Sequence, residues 1–83
     1  MKAIVLIKVQ TGEVAPVVKD IRRLRSVSEA YPAFGPYDVI AVVQVENLNR
    51  LGGIVAGEIQ PIPGVLQTVT CLEVDPELPQ GQG

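Results

Sequence analysis

Histidine and tryptophan are absent from this chain, cysteine occurs once, and the aromatic residues are two tyrosines and one phenylalanine. Without histidine there is no Ser-His-Asp triad, no imidazole general base and no histidine-ligated metal. Cys71 has no partner for an intramolecular disulfide and no companion at metal-ligand spacing. A thiol in mid-strand reads as packing. Basic charge is also scarce: seven Lys and Arg stand against nine Asp and Glu, a net charge of -2. The basic footprint of a nucleic-acid-binding domain is therefore missing. The one local basic run, Lys19, Arg22, Arg23 and Arg25, falls at the end of a predicted helix, where cations complement the dipole and cover a solvated face. No apolar run approaches the ~20 residues of a membrane span. Ala3 to Val9 is too short for a secretory signal and lacks a cleavage pattern. Gly52-Gly53 lies inside a predicted helix, so no phosphate loop precedes one. The nine carboxylates form no evident acid/base pair. These absences leave a cytoplasmic domain expected to use no metal and no cofactor, and to touch neither DNA nor membrane directly.

What is abundant is aliphatic bulk. Hydrophobic residues make up 47% of the 83, and the mean hydropathy is +0.30. A domain this small buries only roughly 60–65% of its extended-chain surface. So much apolar content on so little protein predicts that part of it is buried between subunits.

The chain alternates between two periodicities. Ala3 to Val9 is a continuous run rich in β-branched residues, the pattern of a buried strand. Thr11-Gly12 breaks it. From Glu13 to about Arg25, Val14, Val17, Val18, Ile21 and Leu24 recur at helical spacing, and Pro16 is tolerated in the first turn. Val27 to Phe34 alternates loosely and contains Pro32, which suits an edge strand. Asp38 to Val45 is a second fully apolar strand. Asn47 is a good N-cap for a helix carrying Leu48, Leu51, Val55 and Ile59 on one face. Gly52, Gly53 and Gly57 inside that helix cost about 1 kcal/mol each against alanine, which predicts close approach of the sheet or of a neighbouring subunit. Pro61 and Pro63-Gly64 end it. Val65 to Val74, with Gln67, Thr68, Thr70 and Glu73, suits the other edge. Residues 75–83 read as a flexible tail after a single domain spanning 1–74.

The order β-α-β-β-α-β is the split βαβ, or ferredoxin-like, α+β arrangement. Right-handed crossovers place the first and third strands in the middle and the second and fourth at the edges. Both helices then cover one face. The other face has nothing in this chain to cover it, and a second copy stacked sheet to sheet is the simplest cover.

The chemistry-bearing residues gather at two places. Phe34-Gly35-Pro36-Tyr37-Asp38 is a turn with a phenol and a carboxylate, and Asp38 could accept from an ammonium group. Thr68 and Thr70, two residues apart, project from one face of the last strand, where two hydroxyls could hold a carboxylate. The plain alternative is that Asp38 caps its own turn and the threonines simply suit an edge.

Ala30-Tyr31-Pro32-Ala33-Phe34-Gly35-Pro36-Tyr37-Asp38-Val39 resembles the G-x-Y-D hairpin of the effector-binding (RAM) domain of Lrp/AsnC transcription regulators. Ile62-Pro63-Gly64-Val65-Leu66-Gln67-Thr68-Val69-Thr70 is similar to its closing P-G-V-x-x-T-x-T strand. The resemblance covers about Ala3 to Val74. It implies dimers with stacked sheets, often assembled into octameric rings, and amino-acid effectors held where dimers meet. By motif match, Gly35, Tyr37, Asp38, Thr68 and Thr70 would line that site, with Tyr31 and Phe34 as a wall. Pro36 stands at the variable position. Regulators of this family carry a helix-turn-helix domain before this module, whereas here the module begins at Met1. That resembles a stand-alone form, expected to bind an amino acid and to modulate transcription through full-length Lrp/AsnC regulators. Two other readings stay open. One is a purely structural assembly module. The other is a small dimeric α/β-barrel enzyme of the cofactor-free monooxygenase or isomerase type, disfavoured by the missing histidine and tryptophan. An ACT-type domain shares the strand order but leads into its first helix differently.

Overall fold

The computed structural model describes residues 1–76 of the chain. Strand β1 (Lys2–Val9) is followed by helix α1 (Val14–Arg22), strands β2 (Val27–Pro32) and β3 (Val39–Gln44), helix α2 (Leu48–Ile54), a π-helical turn (Val55–Ile59) and strand β4 (Val65–Leu72). The sheet is antiparallel throughout, in the order β2-β3-β1-β4. The two continuous apolar strands are therefore central, and the strands with the proline and the threonines form the edges, as the patterning predicts. This is the ferredoxin-like α+β fold. The expected tail at 75–83 lies almost entirely outside the described residues.

The core lies between the sheet and the helices. Ala3, Val5, Ile7 and Val9 of β1 and Val39, Ala41 and Val43 of β3 are buried against Val17, Val18 and Ile21 of α1 and Leu51, Ile54, Val55 and Ile59. Directly opposed residues of antiparallel strands share a face. Ile4 and Leu6 of β1, with Val42 and Ile40 opposite, therefore form the other face, and Cys71 and Val69 extend it on β4. Ile4, Leu6, Ile40 and Val69 are only half-buried, while the exposed Cys71 lies at the margin. The second apolar face anticipated from strands apolar on both sides is thus uncovered within one chain.

Three local expectations need correction. Helix α1 stops at Arg22 rather than near Arg25, because its end tightens to three-residue bonds: Arg23 N–H donates to Asp20 at 3.2 Å and Leu24 N–H to Ile21 at 3.0 Å. The second helix does not stay α-helical to Ile59. Gln60 N–H reaches five residues back to the Val55 carbonyl at 2.9 Å, and this widened turn carries Val55 and Ile59 into the core. Finally, a Cβ on Gly52, Gly53 or Gly57 would meet nothing within 4 Å in this chain, so of the two expected neighbours, the sheet and another subunit, the sheet is not the one. The glycine with a tight neighbourhood is Gly64. Its φ of +99° sits in the left-handed region, and a Cβ there would lie 3.0 Å from Val17 Cγ2 and 3.1 Å from Glu13 Cβ.

Asn47 caps α2 as its residue type predicts, its Oδ1 accepting from Arg50 N–H at 2.8 Å. Among the described residues no helix is long and apolar enough to cross a membrane.

Candidate functional site

Asp38 makes most of the bonds that tie the turn of the β2–β3 hairpin to β1. Asp38 donates its N–H to the Ile7 carbonyl at 2.9 Å and accepts at its own carbonyl from Ala33 N–H at 2.9 Å. Its carboxylate oxygen Oδ2 accepts from Val9 N–H at 2.8 Å. The last bond satisfies a backbone donor at the end of β1, where the ladder gives out. Asp38 thus takes the capping part that its place at a turn permits, with β1 rather than its own turn as the partner. Lys8 Nζ donates to the Pro36 carbonyl at 3.3 Å across the same junction. Gly35, at φ +138°, makes the bend that a side chain would strain.

The predicted site residues distribute over several surfaces. Phe34 is fully exposed at the hairpin tip, at 107%. It lines a shallow cleft of about 420 Å³ with Val14, Pro32, Ala33 and Asp38. Tyr37 is half-buried and Gly35 exposed. Tyr31 lies opposite Ile40 on the uncovered face and lines a different cleft, beside Arg22 and Ser28. Within one chain Tyr31 and Phe34 line separate clefts.

Thr68 and Thr70 do share a face. They lie opposite Ile7 and Val5, so both project to the helix side of the sheet. Thr68 Oγ1 accepts from Gln60 Nε2 at 3.0 Å. Thr70 lines a cleft of about 380 Å³ with Leu51, Gly52, Val55, Ala56 and Leu72, while Thr68 lines a second one with Gln60 and Val65. The hairpin continues from β3, and the threonines sit on β4 with β1 between them. That separation is two strand spacings, about 10 Å. One chain does not bring the two halves of the predicted site into one cavity.

Two further polar contacts were not legible in the sequence. Gln60 follows a helix and carries no motif, so nothing marked it as the partner of Thr68. Arg22 belongs to the basic run read as a solvated face, yet its Nε–H donates to the Ala30 carbonyl on the outer side of β2 at 2.8 Å. Arg23 stays with the expected reading, exposed and 3.8 Å from Asp20. Among the described residues no three His, Cys, Asp or Glu side chains come together in a metal-binding group.

Comparison with known proteins places this geometry. The family model of the Lrp/AsnC ligand binding domain matches residues 2–75. The HTH-type transcriptional regulator FL11 of Pyrococcus abyssi is 32% identical over 72 residues, which is 87% of this chain and 47% of FL11. The chain thus spans about half the length of that curated relative. Among solved structures, TTHA0845 from Thermus thermophilus superimposes with a TM-score of 0.85 at 32% identity, covering 89% of this chain and 92% of that one. The complex of transcriptional regulator NMB0573 with L-Met from Neisseria meningitidis shares the fold, with a TM-score of 0.80 at 13% identity, over 93% of this chain and 51% of that one. On the family match and these relatives, the chain belongs to the Lrp/AsnC ligand-binding domain family.

Proposed function

We propose that this chain is a non-enzymatic, cytoplasmic amino-acid sensor that works as an oligomer and modulates transcription through full-length Lrp/AsnC regulators. The observation that carries the reading is the family match across nearly the whole fold, joined to a hairpin that three bonds from Asp38 hold rigid. A binding loop fixed in advance loses less entropy on ligand capture. The uncovered face of Ile4, Leu6, Ile40 and Val69 supports sheet-to-sheet pairing of two copies, on which further assembly in the manner of octameric rings would build. Gly35, Tyr37 and Asp38 of one subunit and Thr68 and Thr70 of another would then face one ligand, since a single chain leaves them apart. An amino acid suits this set, with an acceptor for its ammonium group and hydroxyl donors for its carboxylate. The L-Met in the NMB0573 complex is the same class of ligand on the same fold.

The test is calorimetry and thermal shift with each common L-amino acid. A true effector at about 100 times its Kd adds about 2.7 kcal/mol of stability. Tyr37→Ala and Thr70→Ala should each abolish that gain without changing mass or circular dichroism. If no amino acid binds a well-assembled protein, the sensing function is wrong. A second reading, a purely structural assembly module, has its own support: Asp38 Oδ2 is already engaged by Val9 N–H. In that case both variants behave as the parent with every amino acid.

A further inference from the structure

Gln60 is held in place by the backbone on both sides of it. In an α-helix its N–H would reach Ala56; in the widened turn it reaches the Val55 carbonyl, at 2.9 Å. Pro61 has no N–H with which to carry the helix on. Instead Ile62 N–H donates to the Ile59 carbonyl at 3.1 Å and Val65 N–H to the Ile62 carbonyl at 3.1 Å, so the chain reverses into β4 within a few residues. Gln10 N–H, just past β1, donates to the Gly64 carbonyl at 2.8 Å and ties this reversal to the sheet. Thr68 is fixed in turn by its place opposite Ile7 in the ladder. The bond from Gln60 Nε2 to Thr68 Oγ1 at 3.0 Å therefore joins two residues whose positions the backbone has already set.

The direction of that bond decides what the pair can do. A hydroxyl has one donor and two acceptor sites, whereas an amide nitrogen only donates. With Oγ1 accepting from Gln60, the Thr68 proton cannot be given back to Nε2, and among the described residues it goes to no other acceptor. Nε2 carries two hydrogens and uses one of them on Thr68. One O–H and one N–H, on heavy atoms 3.0 Å apart, thus remain to be donated outside the pair. Two donors side by side suit the two oxygens of one carboxylate. The surroundings do not oppose an anion. The cleft of about 350 Å³ at Gln60 and Thr68 is otherwise lined by Val65, Leu66 and Gln67, with no acidic side chain among them.

We propose that Gln60 is a specificity-determining residue of the ligand site: it leaves the Thr68 hydroxyl as a donor and adds its own second N–H, so that the pair holds the ligand's carboxylate. This role rests on amino-acid binding as proposed above and deepens it, by assigning the choice of an acid over its uncharged derivatives to one amide side chain. Thr70 lines the neighbouring cleft with Leu51, so the residue that shares a cleft with Thr68 is Gln60. Glutamate has nearly the same shape as glutamine, but when ionised it only accepts. At position 60 it would take the Thr68 proton for itself and set a negative charge beside that of the ligand. A carboxamide ligand, which has N–H groups to give, would suit such a site better than an acid. Donors held ready by the backbone also lose little freedom when the ligand arrives.

Calorimetry and thermal shift on the full chain test it, with each common L-amino acid and then with the primary amide of any that binds. Gln60 is exposed and its backbone bond to Val55 survives substitution, so Gln60→Ala should leave the melting temperature and mass of the ligand-free protein unchanged. It should weaken amino-acid binding by about tenfold or more, the effect of losing a hydrogen bond to a charged group. Gln60→Glu should weaken it further, by about a hundredfold, and should bind the primary amide better than the acid, the reverse of the parent's preference. A merely structural contact would not reverse that preference. If no common L-amino acid stabilises the parent, amino-acid sensing and this role for Gln60 fall together. If one does, and either Gln60→Ala keeps the parent's affinity or Gln60→Glu keeps the parent's preference for the acid, the role of Gln60 alone is overturned.

Discussion

Replacing Asp38 by alanine removes the acceptor for Val9 N–H and nothing else from the backbone, because the residue's own N–H and C=O bonds to Ile7 and Ala33 survive. Val9 is buried, so its donor loses its partner where water reaches it poorly. A hydrogen bond to a charged group contributes about 1.5–3 kcal/mol, and a partly buried site such as this falls near the middle of that range, about 2 kcal/mol. For a domain of this size each kcal/mol moves the melting temperature by about 4–8 °C, giving an expected fall of roughly 8–16 °C. Asparagine keeps an oxygen acceptor of the same reach but loses the charge assistance, which makes such bonds about twice as strong as neutral ones. Asp38→Asn should therefore recover about half of the loss. Urea unfolding followed by far-ultraviolet circular dichroism reads both, at one fixed protomer concentration, since assembly also contributes to stability. A loss under about 0.5 kcal/mol for alanine, within the range of an ordinary surface substitution, would refute the idea that Asp38 anchors the hairpin. So would equal losses for alanine and asparagine.

Two further outcomes follow from local geometry. Gly64→Ala combines a left-handed backbone with a Cβ 3.0 Å from Val17 Cγ2, and should destabilise by about 2–3 kcal/mol in the same unfolding assay, whereas Gly52→Ala, with open space around it, should stabilise α2 by up to about 1 kcal/mol. Asn47→Ala removes the side-chain acceptor of Arg50 N–H and should cost about 1 kcal/mol, while Asn47→Asp should cost almost nothing, since aspartate caps equally well; equal losses would show that the cap does not act through its oxygen.

Much of the fold was legible because it depends on which residues avoid water. Val39 to Val45 is apolar at nearly every position, which only a central strand tolerates, and Pro32 could stand only where no ladder bond was needed. The π-helical turn was not legible. Leu51, Val55 and Ile59 fit ordinary helical spacing, and no single residue between Val55 and Ile59 marks a widened turn. The glycines at 52, 53 and 57 were legible only in part: their cost pointed to the sheet or to a neighbouring subunit, and within the chain it is not the sheet. A glycine signals that a side chain is unwelcome or unneeded, and the sequence does not distinguish the two; here nothing in the chain stands within reach.

Element order, strand arrangement, the face left bare and the family can all be read along the chain, because hydrophobic period and turn chemistry are local and repeat. Where the polar groups go depends on the packed fold. Asp38 meets Val9, Gln60 meets Thr68 and Arg22 meets Ala30 because sheet register and helix docking bring together residues that no local pattern relates. The same register separates the hairpin from the threonines. A side chain's type limits the bonds it can make, and only the packed backbone chooses among them.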